Sequence, residues 1–384
     1  MTSRHAARGR YEHLYLHVPF CARRCSYCDF SIAVRREVPW QQYARSIARE
    51  CEIRQVGDHA GTLRTVYLGG GTPSRLGPEG VRATMEALRT HVRWREDAEI
   101  TLEANPEDVT ADAVRQWRAA GINRLSIGVQ SFDDLVLSWM HRVHDAAVAR
   151  RAVEAARAGG IGSVSLDLIF ATPDRLARDW RADLQQLLAL EPEHVSLYGL
   201  TVEPHTPLGR WHERGQEQEA TEERYEQEFR TAHEELERAG YEHYEVSNFA
   251  RSGHRAQHNS AYWSGVPYLG LGPSAHGYDG AVRRWNIDAF TAWERTVSQL
   301  DDPVGGEERL TDENRIAEAV YLGLRTIDGL SISVAEQRHV ATWVEAGWVE
   351  VHTDRGGARL VCAPEGWMRL DALAADLTAF RSAS

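Results

Sequence analysis

The chain of 384 residues contains no lysine, and all 44 of its basic residues are arginine. Without an ε-amino group it can form no lysine Schiff base, anchor no pyridoxal phosphate and offer no P-loop lysine to a nucleotide. Long apolar runs are absent too, and none approaches the 18 residues that mark a membrane-spanning helix. A net charge of -12 argues against a general nucleic-acid-binding role. The N-terminal stretch MTSRHAARGRYEHLY carries basic residues with no apolar segment behind them, so the chain is expected to be cytoplasmic. Neither a long-period repeat nor an extended low-complexity tract is present.

Cysteine is scarce, with five in the chain, yet Cys21, Cys25 and Cys28 fall within eight residues in YLHVPFCARRCSYCDF. Disulfides between such close neighbours would close small, strained loops, and an odd trio leaves one thiol over. A zinc site would need a fourth ligand from a second Cys or His pair, and none follows at a suitable spacing. Three thiolates in a C-x3-C-x2-C pattern suit a [4Fe-4S] cubane whose fourth iron keeps an open position for a substrate or a chelating cofactor. Cys51 and Cys362 stand alone in amphipathic and apolar surroundings and read as buried small hydrophobes.

From residue 13 to about 200, short β-rich runs alternate with amphipathic helical stretches. Strands are expected at 13–18, 65–68, 99–102, 124–127, 163–169 and 194–199, with helices at 40–56, 79–91, 111–120, 145–158 and 176–190. Six such units predict an α/β fold, an incomplete (β/α)6 barrel with its chemistry at the C-terminal ends of the strands. A charged helix at 219–239 reads as a solvated helix packed on the core, and an aromatic, glycine-rich stretch follows at 241–286. Asp, Pro and Gly cluster near 300–308, which divides the chain into a barrel with its extension at 1–300 and a small winged-helix-like domain at 301–384. In the latter, helices are expected at 312–326, 332–346 and 364–380 and a hairpin at 348–362.

Each expected strand end carries something unusual. GGGTPS follows the second strand, and its Gly69, Gly70 and Gly71 would let the backbone approach a ligand closely or simply make a tight turn. EANPED follows the third, with Glu103 and Asn105 at the mouth or in a surface loop. Gln130 ends the fourth strand, with Arg142 and His144 beyond it. Asp167 lies within an apolar fifth strand, where an ionisable group needs a partner, and it reads as a site residue.

YLHVPFCARRCSYCDF, LGGGTPS, LEANPE, RLSIGVQSF, HRVHDA, SLDLIF, SLYGLTVEPHTPL, YEVSNFA and HNSAYWSGVPYLGLGPSAHG occur in this order. In these segments the chain resembles the radical S-adenosylmethionine (SAM) proteins of the oxygen-independent coproporphyrinogen-III oxidase-like family, on the side of its heme chaperones. The resemblance runs from Tyr15 to Gly329 and more faintly beyond. It implies a radical SAM barrel in which Cys21, Cys25 and Cys28 hold a [4Fe-4S] cluster and SAM chelates the remaining iron. It further implies that Tyr15 and Tyr27 flank cluster and cofactor, that Gly70, Gly71 and Thr72 contact the methionyl end, and that Glu103 accepts from the ribose. Gln130, Arg142 and Asp167 complete the implied shell. Heme and apo-heme acceptor proteins are the implied partners, with no catalytic residue assigned.

Two neighbouring classes remain open. Oxygen-independent coproporphyrinogen dehydrogenases look similar but carry a fourth cysteine where this chain has Phe30, and a longer segment before the residue matching Tyr15. HemN-like radical SAM methyltransferases share the barrel motifs, while HNSAYW and the GLRTIDGL segment at 323–330 fit the chaperones better. His258 is suggested as a heme axial ligand, with Tyr262 and Trp263 against the macrocycle and His276 a weaker choice. The chain departs from the family at Ala171, Thr172, Pro173 and Asp174, where Gly-Leu-Pro-Gly is common, and at His205, where Gly precedes Thr-Pro-Leu.

Overall fold

The β-rich runs assemble into one sheet. The computed structural model describes residues 11–354 and 356–383, so most of the basic N-terminal stretch lies outside the described residues. Six strands, β1 (Tyr11–Val18), β2 (Ala60–Gly70), β3 (Arg93–Ala104), β4 (Arg124–Gln130), β5 (Ser163–Phe170) and β6 (His194–Gly199), run parallel in chain order. Three short strands, β7 (Glu242–Glu245), β8 (Asn248–Ala250) and β9 (Leu269–Leu271), complete the order β9-β1-β2-β3-β4-β5-β6-β8-β7. The sheet is open, with β9 and β7 as its edges. Strands β2 and β3 start well before the expected 65 and 99, because Thr62 and Leu63 pair with Arg93 and Trp94 ahead of a register shift. Those added residues of β3 are largely exposed and polar, so no apolar run announces them.

Helices α1 (Trp40–Ile53), α2 (Gly77–Arg89), α3 (Ala111–Ala119), α4 (Ala146–Ala158) and α5 (Trp180–Ala189) link the parallel strands. The side chains of Thr110, Asp145 and Asp179 accept from the N–H of Ala113, Val148 and Ala182, satisfying helix-start donors. One continuous core runs from Leu14 and Leu16 of β1 through Leu68, Leu102, Ile127, Leu166 and Val195 to Leu377 near the C-terminus. Burial of both faces of a parallel sheet explains why its strands read as nearly unbroken apolar runs.

Helix α6 (Glu222–Arg238) is more than the solvated helix expected at 219–239. Its Glu228 is buried, accepts the N–H of Ala171 at 2.7 Å and pairs with Arg224 at 2.8 Å, while Tyr225 packs on Phe170. The helix therefore braces the turn after β5.

Beyond the sheet, β10 (His276–Tyr278), β11 (Val282–Asn286) and β12 (Val304–Arg309) form a three-stranded antiparallel sheet. Strand β12 lies past the expected division at 300 yet pairs with β11, so the passage into the C-terminal elements falls at 310–312. There, α7 (Asp312–Arg325) packs beside a second sheet of β13 (Leu330–Ile332), β14 (Val349–Asp354) and β15 (Gly357–Cys362). The helices expected at 332–346 and 364–380 are each broken in two, at Val340 and at Met368–Arg369. No helix among the described residues is long and apolar enough to cross a membrane.

Candidate cofactor-binding site

Strand β1 delivers the chain to the cysteine loop, whose base is closed by pairing of Phe20–Cys21 with Ala33–Val34. The three thiols are free, and all three line a cavity of about 440 Å³ at the C-terminal ends of the parallel strands. Cys21 Sγ lies 3.3 Å from Thr72 Oγ1, and Arg142 Nη1 donates to Cys25 Sγ at 3.5 Å. Burial pushes the Cys21 thiol up and the Cys28 thiol to about 11, so thiolates here call for a positive partner. No group of three or more His, Cys, Asp or Glu among the described residues is close enough to hold a single metal ion. A cubane spreads its irons over a wider body, and three free thiols around one cavity with no fourth fit such a cluster.

The GGGTPS turn sets the opposite wall. Gly70 has φ +110°, and a Cβ there would meet the His17 ring at 2.6 Å; at Gly71 it would meet the Pro19 backbone at 2.7 Å. These glycines thus let the end of β2 press against the start of the cysteine loop, while both still line the cavity. The backbone N–H of Gly70 donates to Glu103 Oε2 at 3.1 Å, and Tyr67 donates its hydroxyl to Glu103 Oε1 at 2.8 Å. Burial raises the Glu103 carboxyl to about 7 despite those two donors. Asp167, raised to about 6 by burial, accepts from Ser126 of β4 and Ser165 of β5, and also has a hydrogen bond with Ser196 of β6.

Arg142 crosses the floor. Its Nη2 donates to Asn105 Oδ1 at 2.7 Å and to Gly128 O at 2.8 Å, while its buried Nε has no partner. Gln130 also lines the cavity and holds φ +70°, a strained value for a residue with a side chain. Every residue expected around cluster and cofactor lines this cavity except Tyr15. Tyr15 is registered beside Tyr67 across β1 and β2 and stacks on it with centroids 6.1 Å apart. It therefore lies behind the cavity wall, packed on Tyr67.

Sequence reading missed Tyr67 and Tyr198. Tyr198 lines the cavity near the C-terminal end of β6, the position in such a fold that signals a site. Tyr67 could be found only by knowing which of two adjacent tyrosines reaches Glu103, and that depends on strand register.

His258 is not presented for axial ligation. It is 1 % exposed, its Nδ1 is 2.6 Å from Thr65 Oγ1, and its Nε2 is 2.8 Å from the Tyr262 hydroxyl. Both ring nitrogens are committed, and burial lowers the imidazole to about 3. The ring stacks on Tyr67 at 5.1 Å, so Glu103, Tyr67, His258 and Tyr262 form one continuous chain of contacts. Tyr262 and Trp263 face a second cavity, and the exposed His276 lines neither of the two.

The departures after β5 have a local consequence. Ala171 adopts φ +57°, a left-handed conformation that the family's glycine would take without strain. Asp174 pairs with Arg224 of α6 at 2.6 Å. His205 is exposed, in the loop just beyond the cavity-lining Glu203.

A cysteine-loop cavity at the C-terminal ends of six parallel strands in an open, mixed sheet is the arrangement of a radical SAM protein, and the radical SAM superfamily pattern matches residues 15–187. The chain is 35% identical over 366 residues to the heme chaperone HemW of Mycobacterium tuberculosis, covering 94% of this chain and 93% of that protein. It is also 35% identical to HemW of Bacillus subtilis, covering 83% and 84% of the two chains, and 38% identical over 265 residues to that of Escherichia coli, covering 69% of each. The chain belongs to the HemW family. Its fold matches that of the radical SAM enzyme coproporphyrinogen III oxidase (HemN) from Escherichia coli, with a TM-score of 0.82 over 98% of this chain and 92% of that one, at 22% identity.

Proposed function

We propose that this protein is a heme chaperone that binds a [4Fe-4S] cluster, SAM and heme and hands heme to apo-acceptor proteins. The observation that carries the reading is the convergence of Cys21, Cys25 and Cys28 with Thr72, Glu103, Arg142 and Asp167 on one cavity, in a chain whose curated relatives are named heme chaperones. In this reading the three cysteines hold the cluster, which supplies an open iron for the methionyl amine and carboxylate. Arg142, with its unpartnered Nε, faces the carboxylate, since a guanidinium matches that shape. Glu103 accepts from the ribose hydroxyls, while Gly70, Gly71 and Thr72 line the methionyl end.

Phe30, where an oxidative decarboxylase of this fold carries a further cysteine, is 59% exposed at the cavity rim, so the mouth is open to solvent. Radical chemistry on a bound substrate favours a closed, dry site, and the open mouth supports transfer over turnover. The test is heme hand-over: hemin-loaded, cluster-reconstituted protein is mixed anaerobically with an apo-hemoprotein and the Soret band is followed. The acceptor's spectrum should grow faster than with an equal concentration of albumin-bound hemin. Hand-over no faster than from albumin would overturn the chaperone reading.

A further inference from the structure

A second cavity, of about 700 Å³, opens between the aromatic extension and α7 with the sheet β13-β15-β14. It lies well within the size range of a ligand pocket and shares no lining residue with the cysteine cavity. One side is aromatic: Tyr262 and Tyr268 meet edge to face at 4.6 Å, and Tyr278 lies beside Tyr268, bonded to it through the backbone at 2.9 Å in both directions. Next to them the buried indole N–H of Trp263 has no partner, while Arg325 covers the ring face at 4.3 Å. Ala319 and Leu322 of α7 supply the apolar opposite side.

The rim is cationic in a chain of net charge -12. Arg283, Arg315 and Arg381 all line the cavity, against a single lining carboxylate, Glu318. Arg283 pairs with Glu318 at 2.9 Å, and Arg381 is held by Glu336 and by Ser331 O. Arg315 makes no side-chain hydrogen bond or ion pair among the described residues. Tyr262 and Tyr268 stand at 70° to each other, so a flat conjugated ligand can meet one ring face-on and the other edge-on, and an excess of arginine at the rim suits carboxylates.

We propose that this second cavity, and not the cysteine cavity, is where a porphyrin docks: a planar apolar macrocycle against Tyr262, Tyr268 and Tyr278, its two carboxylates towards Arg283 and Arg315. The proposal rests on the heme-chaperone reading and adds the location and the recognition chemistry. No His, Cys or Met lines the cavity, so ring stacking and the carboxylates provide the affinity, and a tyrosine hydroxyl is the one lining group of a kind that ligates heme iron. The tyrosine hydroxyl nearest His258 is already engaged.

Hemin titration of the cluster-reconstituted full chain, followed by the Soret band, tests the location. Four proteins are compared: the unmodified chain, an Arg283→Glu/Arg315→Glu double variant, Ala319→Trp to fill the cavity from the exposed face of α7, and Arg150→Glu/Arg295→Glu as a charge-matched control at helical residues that line neither cavity. Iron content and circular dichroism establish that each is folded. The first two variants should each bind hemin at least tenfold more weakly, and the control within twofold of the unmodified chain. Unchanged affinity in both cavity variants would overturn the location while leaving the chaperone reading intact, as would an equal loss in the control. No hemin binding by the unmodified chain would instead overturn the chaperone reading itself.

Discussion

Replacing Glu103 by Gln should flatten the pH dependence of SAM binding. Burial holds this carboxyl at about 7 against an ordinary 4.5, so at pH 6 most unliganded protein carries it protonated. Only the ionised form accepts from both ribose hydroxyls, and binding at low pH must first remove the proton. If the bound carboxylate titrates well below 6, affinity should rise about tenfold from pH 6 to pH 8. The Gln variant loses that rise except for the part contributed by Asp167, which titrates near 6. At pH 8 it should bind SAM roughly 1.5–3 kcal/mol more weakly, the worth of a charge-assisted hydrogen bond.

The same substitution has the opposite effect on the unliganded fold. A folded-state value above the unfolded one means that stability is lost as pH rises from about 4.5 through about 7 and stays lost above it. The rise corresponds to roughly 3 kcal/mol at 1.36 kcal/mol per pH unit. Partial exposure of the cavity wall and the hydrogen bonds to Tyr67 and Gly70 reduce the expected gain in Glu103→Gln to about 1–2 kcal/mol at pH 8, vanishing near pH 4. Calorimetric SAM titration at pH 6, 7 and 8, with denaturant unfolding of the unliganded protein, measures both. An undiminished tenfold pH dependence in the variant would refute the assignment of this carboxylate to the ribose.

Other predictions are simpler. Ala replacement of Cys21, Cys25 or Cys28 should abolish the cluster, whereas Cys51→Ala and Cys362→Ala should keep normal iron and sulfide; both distal thiols are buried away from the cavity. Asp167→Ala should weaken SAM binding by about 1.5–3 kcal/mol without loss of iron, and unchanged calorimetric affinity would return this carboxylate to a packing role. Ala171→Gly, at φ +57°, should raise unfolding stability by about 1 kcal/mol, and a loss would mean that the turn is unstrained. His258→Asn should leave the Soret maximum of bound hemin unmoved, because both ring nitrogens are engaged inside the protein; a shifted maximum would restore it as a ligand.

The order of the six parallel strands was legible because strands buried on both faces cannot avoid apolar runs. That Cys21, Cys25 and Cys28 share one cavity was legible because their close spacing keeps them on one loop. Register was not: Tyr15 and Tyr67 are side by side, and only the fold decides that Tyr67 reaches Glu103 while Tyr15 packs behind. His258 illustrates the same limit, since an imidazole among aromatics reads alike as a ligand or as a buried hydrogen-bonding residue until its two partners are seen. The support of the β5 turn by Glu228 was hidden inside a helix whose charges look like those of a solvated face. The second cavity draws its arginines from β11, α7 and the last helix, a convergence that no local window of sequence contains.

The most direct test of the central claim is made on one anaerobic, cluster-reconstituted sample given SAM and a reductant. Hemin binding is titrated by the Soret band, and coproporphyrinogen III is supplied in parallel with product analysis for protoporphyrinogen IX. The account predicts saturable hemin binding and no vinyl-group formation beyond the no-protein control. Multiple-turnover formation of protoporphyrinogen IX would contradict it and make this chain an oxidative decarboxylase.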